Sequence, residues 1–124
     1  MNKDKISKVV DKVYPLIVNK LGGKQANVKL HHNIYDRLGA IYNEDDSQNP
    51  SAEYDYGTKT IYLYYSAIDS VEETIKSLLH EHTHSMQSKK LFKLIYECGH
   101  VYSTHPYEKQ AKKAELKWKE YENK

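Results

Sequence analysis

Only one of the 124 residues is a cysteine, Cys98, so the chain can form no internal disulfide. That suits a reducing compartment, and the lone thiol is expected to be semi-buried and inert. No apolar run approaches the roughly 20 residues that span a bilayer, which argues against a membrane partner. The opening residues, Met1-Asn2-Lys3-Asp4-Lys5, lack the apolar block and small-residue cleavage site of a secretory signal. A cytoplasmic location is therefore expected. Arginine is almost missing too: Arg37 is the sole one. Lysine, asparagine, isoleucine and tyrosine are used heavily instead, a bias that fits an AT-rich genome such as that of a phage or an AT-rich bacterium.

Charge of either sign is scarce in the balance, with a formal net charge of +2. It is uneven along the chain, since residues 89–124 hold nine lysines against five glutamates. A solvated helix face accounts for those lysines. Nucleic acid is not the expected partner, because base and phosphate readers lean on arginine. The length fits a single domain over residues 1–124. Its core is modest, and a domain this small gains from an added constraint such as a bound metal.

The hydrophobic pattern predicts an α+β fold. Ile6, Val9, Val10, Val13, Ile17 and Leu21 recur at three- and four-residue steps, so residues 5–21 are expected to be helical. Pro15 should kink or split that helix, and Gly22-Gly23 should stop it. Residues 27–31 suit a short strand, residues 36–42 a turn into a strand, and the polar stretch 43–52 a loop. Residues 54–65 are rich in aromatic and β-branched types with a turn at Gly57, which predicts a hairpin in a small, mostly antiparallel sheet.

Ser70 and Glu73 form a capping box ahead of an apolar run, so a helix should start at Ser70 and continue to about Gln87. A helical segment is expected over residues 91–96, broken by Gly99. A last helix should begin near Pro106, with Tyr107, Ala111, Ala114, Trp118 and Tyr121 as its packing stripe.

The chemistry lies in His80-Glu81-His82-Thr83-His84, an H-E-x-x-H motif on the capped helix. Residues four apart share a helix face, so His80 and His84 can present two imidazoles to one zinc ion. Glu81 can take the proton of a water on that ion. With seven histidines and ten glutamates in the chain, random placement yields about 0.03 such motifs. Val71, Ile75, Leu78, Leu79 and Met86 lie on the other side, towards a core. His82 falls on that apolar side and is expected to bond a backbone or tyrosine partner there, with a second-metal or supporting role as the sharper alternative.

Zinc in catalytic sites usually has three protein ligands plus water. Glu108 is the candidate third ligand, at the start of the last helix and beside the small Ala111. His100 is the alternative and His105 a weaker one. His105 and Tyr107, or Tyr102, could instead donate a hydrogen bond to the oxyanion formed in peptide hydrolysis. Glu115 shares the face of Glu108 but lies one heptad further along.

Residues 78–87 (LLHEHTHSMQ) resemble the active-site helix of zincin metallopeptidases, and residues 106–111 (PYEKQA) look like the E-x-x-A segment of the gluzincin branch. The resemblance covers roughly residues 54–116. It implies a minimal zincin-like fold and a zinc-dependent metallopeptidase acting on a peptide or protein. His80, His84 and Glu108 would be the ligands and Glu81 the general base. It also implies that the strand at residues 61–65 is the sheet edge along which an extended substrate lies. The alternative is a catalytically inactive zinc-binding module of the same fold that acts in protein–protein interaction. A metzincin would need glycine at 87 and histidine at 90, where this chain has Gln87 and Lys90. His100 after Gly99 resembles the three-histidine pattern of SprT-like proteases. Lys112 departs from the gluzincin pattern, which places an acidic residue there to orient a histidine.

Overall fold

Helix α1 spans Lys3–Leu21 and is capped by Asn2, whose side chain accepts from the Lys5 N–H. Its apolar stripe buries Ile6, Val10, Val13 and Ile17. Pro15 lies inside it without splitting it. The proline is on the exposed side, so the carbonyl it leaves without a helical partner, that of Asp11, faces water. The computed structural model describes residues 1–39 and 50–122.

The chain then forms β1 (Asn27–His31), α2 (Ile34–Leu38), β2 (Ala52–Asp55) and β3 (Thr60–Tyr64). The expected turn at 36–39 is instead the end of α2 and its glycine cap, nucleated by Asn33, which accepts from the Asp36 N–H. The strand expected to follow at 40–42 and residues 43–49 of the expected loop lie outside the described residues. Ala52, expected to close that loop, opens β2.

The three strands are ordered β1-β3-β2. The sheet is mixed, not mostly antiparallel: β2 and β3 pair antiparallel, while β1 and β3 pair parallel. A tight turn joins β2 to β3, in which Asp55 accepts from the Gly57 N–H. β1 reaches β3 only through a long crossover, the connection parallel strands require. This order also corrects the expected sheet edge. β3, with all five residues buried, is the central strand, and β2 is the edge.

Helix α3 (Val71–Ser85) starts at the capping box. Ser70 Oγ accepts from Glu73 N–H, and the Glu73 carboxylate accepts from the Asp69 N–H. Its apolar side buries Ile75, Leu78 and Leu79 against α1 and the sheet. Val71 and Met86, at the two ends of that side, are exposed (41% and 43%). After α3 come α4 (Lys89–Glu97) and α5 (Pro106–Ala114). The chain continues as 3-10 turns over Glu115–Tyr121, so the expected last helix is α-helical only to Ala114. Its stripe still reaches the core through Ala111 and Tyr121. Cys98, at the end of α4, is exposed, not semi-buried.

His82 is fully buried. Its Nε2 donates to the Gly22 carbonyl at 2.8 Å, and its Nδ1 accepts from the Tyr14 hydroxyl at 2.8 Å. The Tyr14 oxygen in turn accepts from the Ala26 N–H. The Gly22-Gly23 turn permits this approach. Both residues have positive φ, and a Cβ on Gly23 would stand 2.9 Å from Met86 Cγ. This polar relay clamps the end of α1 and the entry to β1 onto α3. Tyr14→Phe would leave His82 Nδ1 with only the long 3.4 Å contact to Ser85 Oγ and strand the Ala26 N–H, at a cost of about 2 kcal/mol. Urea unfolding of that variant should show a lower midpoint at unchanged slope; an unchanged midpoint would remove the clamp from the account.

Candidate metal centre

α3 and α5 run antiparallel beside the cleft, and their facing side chains make the site. His84 on α3 meets Glu108 on α5, while His80, one turn earlier on α3, meets Glu115, which begins the 3-10 turns. One ligand atom from each of His80, Glu81 and His84 lies within 4.8 Å of the other two. This group has the placement to hold a metal ion.

The orientation of both imidazoles is fixed from outside. His80 Nδ1 lies 2.8 Å from Glu115 Oε2. A carboxylate only accepts, so Nδ1 is the donor and Nε2 points the other way. His84 Nδ1 lies 2.7 Å from Gln87 Oε1. The Gln87 amide nitrogen donates to the Tyr107 carbonyl and to Gln110 Oε1. That pair of acceptors settles which end of the amide is oxygen, and His84 also donates through Nδ1. The two Nε2 atoms are thus both turned to one place.

Glu108 Oε1 occupies that place. It lies 3.6 Å from His80 Nε2 and in closer contact with His84 Nε2. It is buried, and among the described residues no hydrogen bond reaches it apart from these contacts. Two imidazole nitrogens and a buried carboxylate oxygen converge with no neutral donor between them, and the arrangement demands a positive centre. Burial raises the Glu108 carboxyl, but the facing imidazoles of His80 and His84 outweigh it and bring it down to about 2. Burial likewise works against charge on His80, yet Glu108 and Glu115 outweigh it and raise that imidazole to about 9. A proton on one Nε2 serves one pair of atoms, whereas a metal ion serves all three donors at once.

Glu81 differs from Glu108 in its surroundings. It is buried on α3 between the two imidazoles in sequence. Burial lifts it most, His80 and His84 hold it back, and Glu108 adds to the rise, leaving it at about 7. A carboxylate in that range is matched to taking and returning a proton near neutral pH.

The site opens into a cleft of about 1310 Å³. β2 and the following turn line it together with Lys89, Phe92 and Lys93 of α4, and His80, Glu81, His84 and Glu108 line it as well. Among the described residues, β2 pairs only with β3.

Not all the expected residues meet here. His105 is fully buried behind the site and caps α5: its Nδ1 accepts from the Tyr107 N–H, and its Nε2 donates to the Phe92 carbonyl. Both ring nitrogens are engaged, so it has no hydrogen to offer an oxyanion. Tyr107 does not line the cleft, while Tyr102 does. His100 is exposed beyond α4, close to Thr104, and is not among the cleft residues. Gln87 and Glu115, which aim the two imidazoles, had no assigned role in the sequence. Their signal is the i+3 spacing of Gln87 from His84 and the heptad spacing of Glu115 from Glu108, which acquire meaning only once the helices are known to be antiparallel.

Comparison of the chain with family models, with curated proteins and with solved structures finds no match. No helix among the described residues is long and apolar enough to cross a membrane.

Proposed function

We propose that the protein is a zinc-dependent peptidase of minimal zincin-like fold, with His80, His84 and Glu108 as zinc ligands and Glu81 as general base. The observation that carries this is the buried Glu108 Oε1 lying against two Nε2 atoms whose rings are each held by a separate acceptor. Two imidazole nitrogens and one carboxylate oxygen, with room left on the cleft side, form the donor set of a catalytic zinc. When bound, zinc would polarise a peptide carbonyl and lower the pKa of a coordinated water.

The chain's own residues do the rest. Glu81 takes the proton of the attacking water and can return it to the leaving amine. Glu115 and Gln87 hold the imidazoles so that Nε2, and not Nδ1, faces the ion. The side of β2 that pairs with no described strand offers backbone groups to an extended peptide or protein substrate lying in the cleft.

Glu115 carries over the part that an acidic residue at 112 would have had. Glu115→Ala should loosen zinc roughly 10- to 100-fold while leaving the ligand set intact. Competition against a chromophoric chelator measures this, and an unaltered affinity would show that the carboxylate is not needed to aim His80. The test of the function itself is hydrolysis by the parent chain set against Glu81→Gln. A parent that holds zinc and cuts nothing in a broad peptide pool would be a zinc-binding interaction module instead.

A further inference from the structure

Tyr56 stands in the turn just after the edge strand β2 and lines the cleft. Its ring packs edge-on against Tyr54, with centroids 4.9 Å apart, and against Phe92 at 5.9 Å. Phe92 in turn lies edge-on to the imidazole of His84 at 5.3 Å. The Tyr56 ring is therefore one aromatic layer from the candidate metal centre. Its hydroxyl oxygen is buried and has no hydrogen-bond partner among the described residues. Buried hydroxyls almost always find one, because leaving one unmet costs free energy.

The surroundings show what the hydroxyl can do. Burial raises its pKa strongly, and the negative charges of Glu108 and Glu81 push in the same direction. The phenol therefore keeps its proton, and its residue lines the same cleft as both carboxylates. It is a donor without an acceptor, held in a cleft wall.

We propose that Tyr56 is a catalytic residue whose O–H donates a hydrogen bond to the carbonyl oxygen of the scissile peptide and to the negative charge that develops there. This rests on the peptidase function proposed above. Ser51, Tyr54, Ser77 and Tyr102 also bring hydroxyls to the cleft, but among the described residues only that of Tyr56 is both buried and without a partner, and Tyr102 is 57% exposed. A donor already fixed in a buried wall needs no reorganisation when charge develops, whereas one on an exposed ring must first be ordered and desolvated. His105 and Tyr107 are excluded by their positions, as described.

Tyr56→Phe removes the hydroxyl and keeps the ring against Tyr54 and Phe92. Steady-state kinetics on a pool of fluorescence-quenched peptides of randomised sequence provides the test. The best-cut sequence is then made as a phosphinate, whose anionic oxygen stands in for the developing oxyanion. The expected result is a fall in kcat of about 100- to 1,000-fold with KM changed less than about threefold. Phosphinate affinity should weaken in step, with zinc content and melting temperature unchanged. Tyr102→Phe should stay within about threefold of the parent throughout, if the buried hydroxyl is the preorganised donor. Retained kcat in Tyr56→Phe in an active parent, or a loss matched by a fall in zinc content or melting temperature, would overturn the role of Tyr56 alone. A parent that neither cuts the pool nor binds peptide phosphinates would overturn the peptidase function and this role with it.

Discussion

Glu81→Gln is expected to retain zinc and to lose peptide hydrolysis by about 1,000-fold, within the range attributed to a positioned general base. The substitution is nearly isosteric, so the packing of α3 changes little. What it removes is a cleft carboxylate able to take a proton near neutral pH. Glu81 is buried and raised to about 7, whereas Glu108, held down to about 2 by the two imidazoles, stays ionised and is suited to bind a cation. Two carboxylates in one cleft thus have separate tasks, set by their neighbours. Parallel assays of hydrolysis and zinc content would check this. A variant that cleaves as fast as the parent would show that Glu81 is not the base, and one that loses zinc would make it a ligand.

Glu108→Ala is expected to abolish tight zinc binding and the stability that comes with it. A ligand that binds only the folded state adds about 4 kcal/mol when present at a thousand times its Kd. For a domain of this size that is a rise in melting temperature on the order of 15 °C. The parent should show such a rise on adding zinc and lose it with a chelator, and Glu108→Ala should show neither. His80 and His84 remain in that variant, but two imidazoles alone leave zinc short of the three protein ligands it favours in open sites. A zinc-dependent rise that survives Glu108→Ala would mean that the third donor comes from elsewhere.

The sequence made α3 and its two histidines legible because every determinant is local. The Ser70–Glu73 box sets the start, the four-residue step puts His80 and His84 on one face, and Ile75, Leu78 and Leu79 mark the other. Glu108 was within reach because the P-x-E-x-x-A stretch starts its own helix. The sheet was harder. β3 is as aromatic and β-branched as an edge strand facing a cleft would be, and only its pairing on both sides shows it to be central. Its neighbour β2 has a less regular pattern, and its expected loop assignment up to Ala52 hid its first residue.

His105 shows the opposite failure. A histidine three residues before a candidate ligand suggests chemistry, yet here it caps α5 and seals the packing beneath Phe92. Nothing in its local sequence separates the two roles, because the deciding contact comes from α4. Glu115 was passed over because seven residues of α-helix rise about 10 Å, too far for one ion. The antiparallel arrangement brings it to Nδ1 of His80, on the side of the ring away from Glu108. His82 resolves in the ordinary direction: it is buried and bonded to a tyrosine and a backbone carbonyl, and it faces away from the cleft.

The most direct test of the convergent site is a zinc titration of the metal-free chain by calorimetry, with His84→Ala as the control. The geometry of His80, His84 and Glu108 predicts saturation at one zinc per parent chain and no comparable binding in the variant. A parent chain that binds no zinc saturably, or a variant that binds it as tightly, would contradict the account.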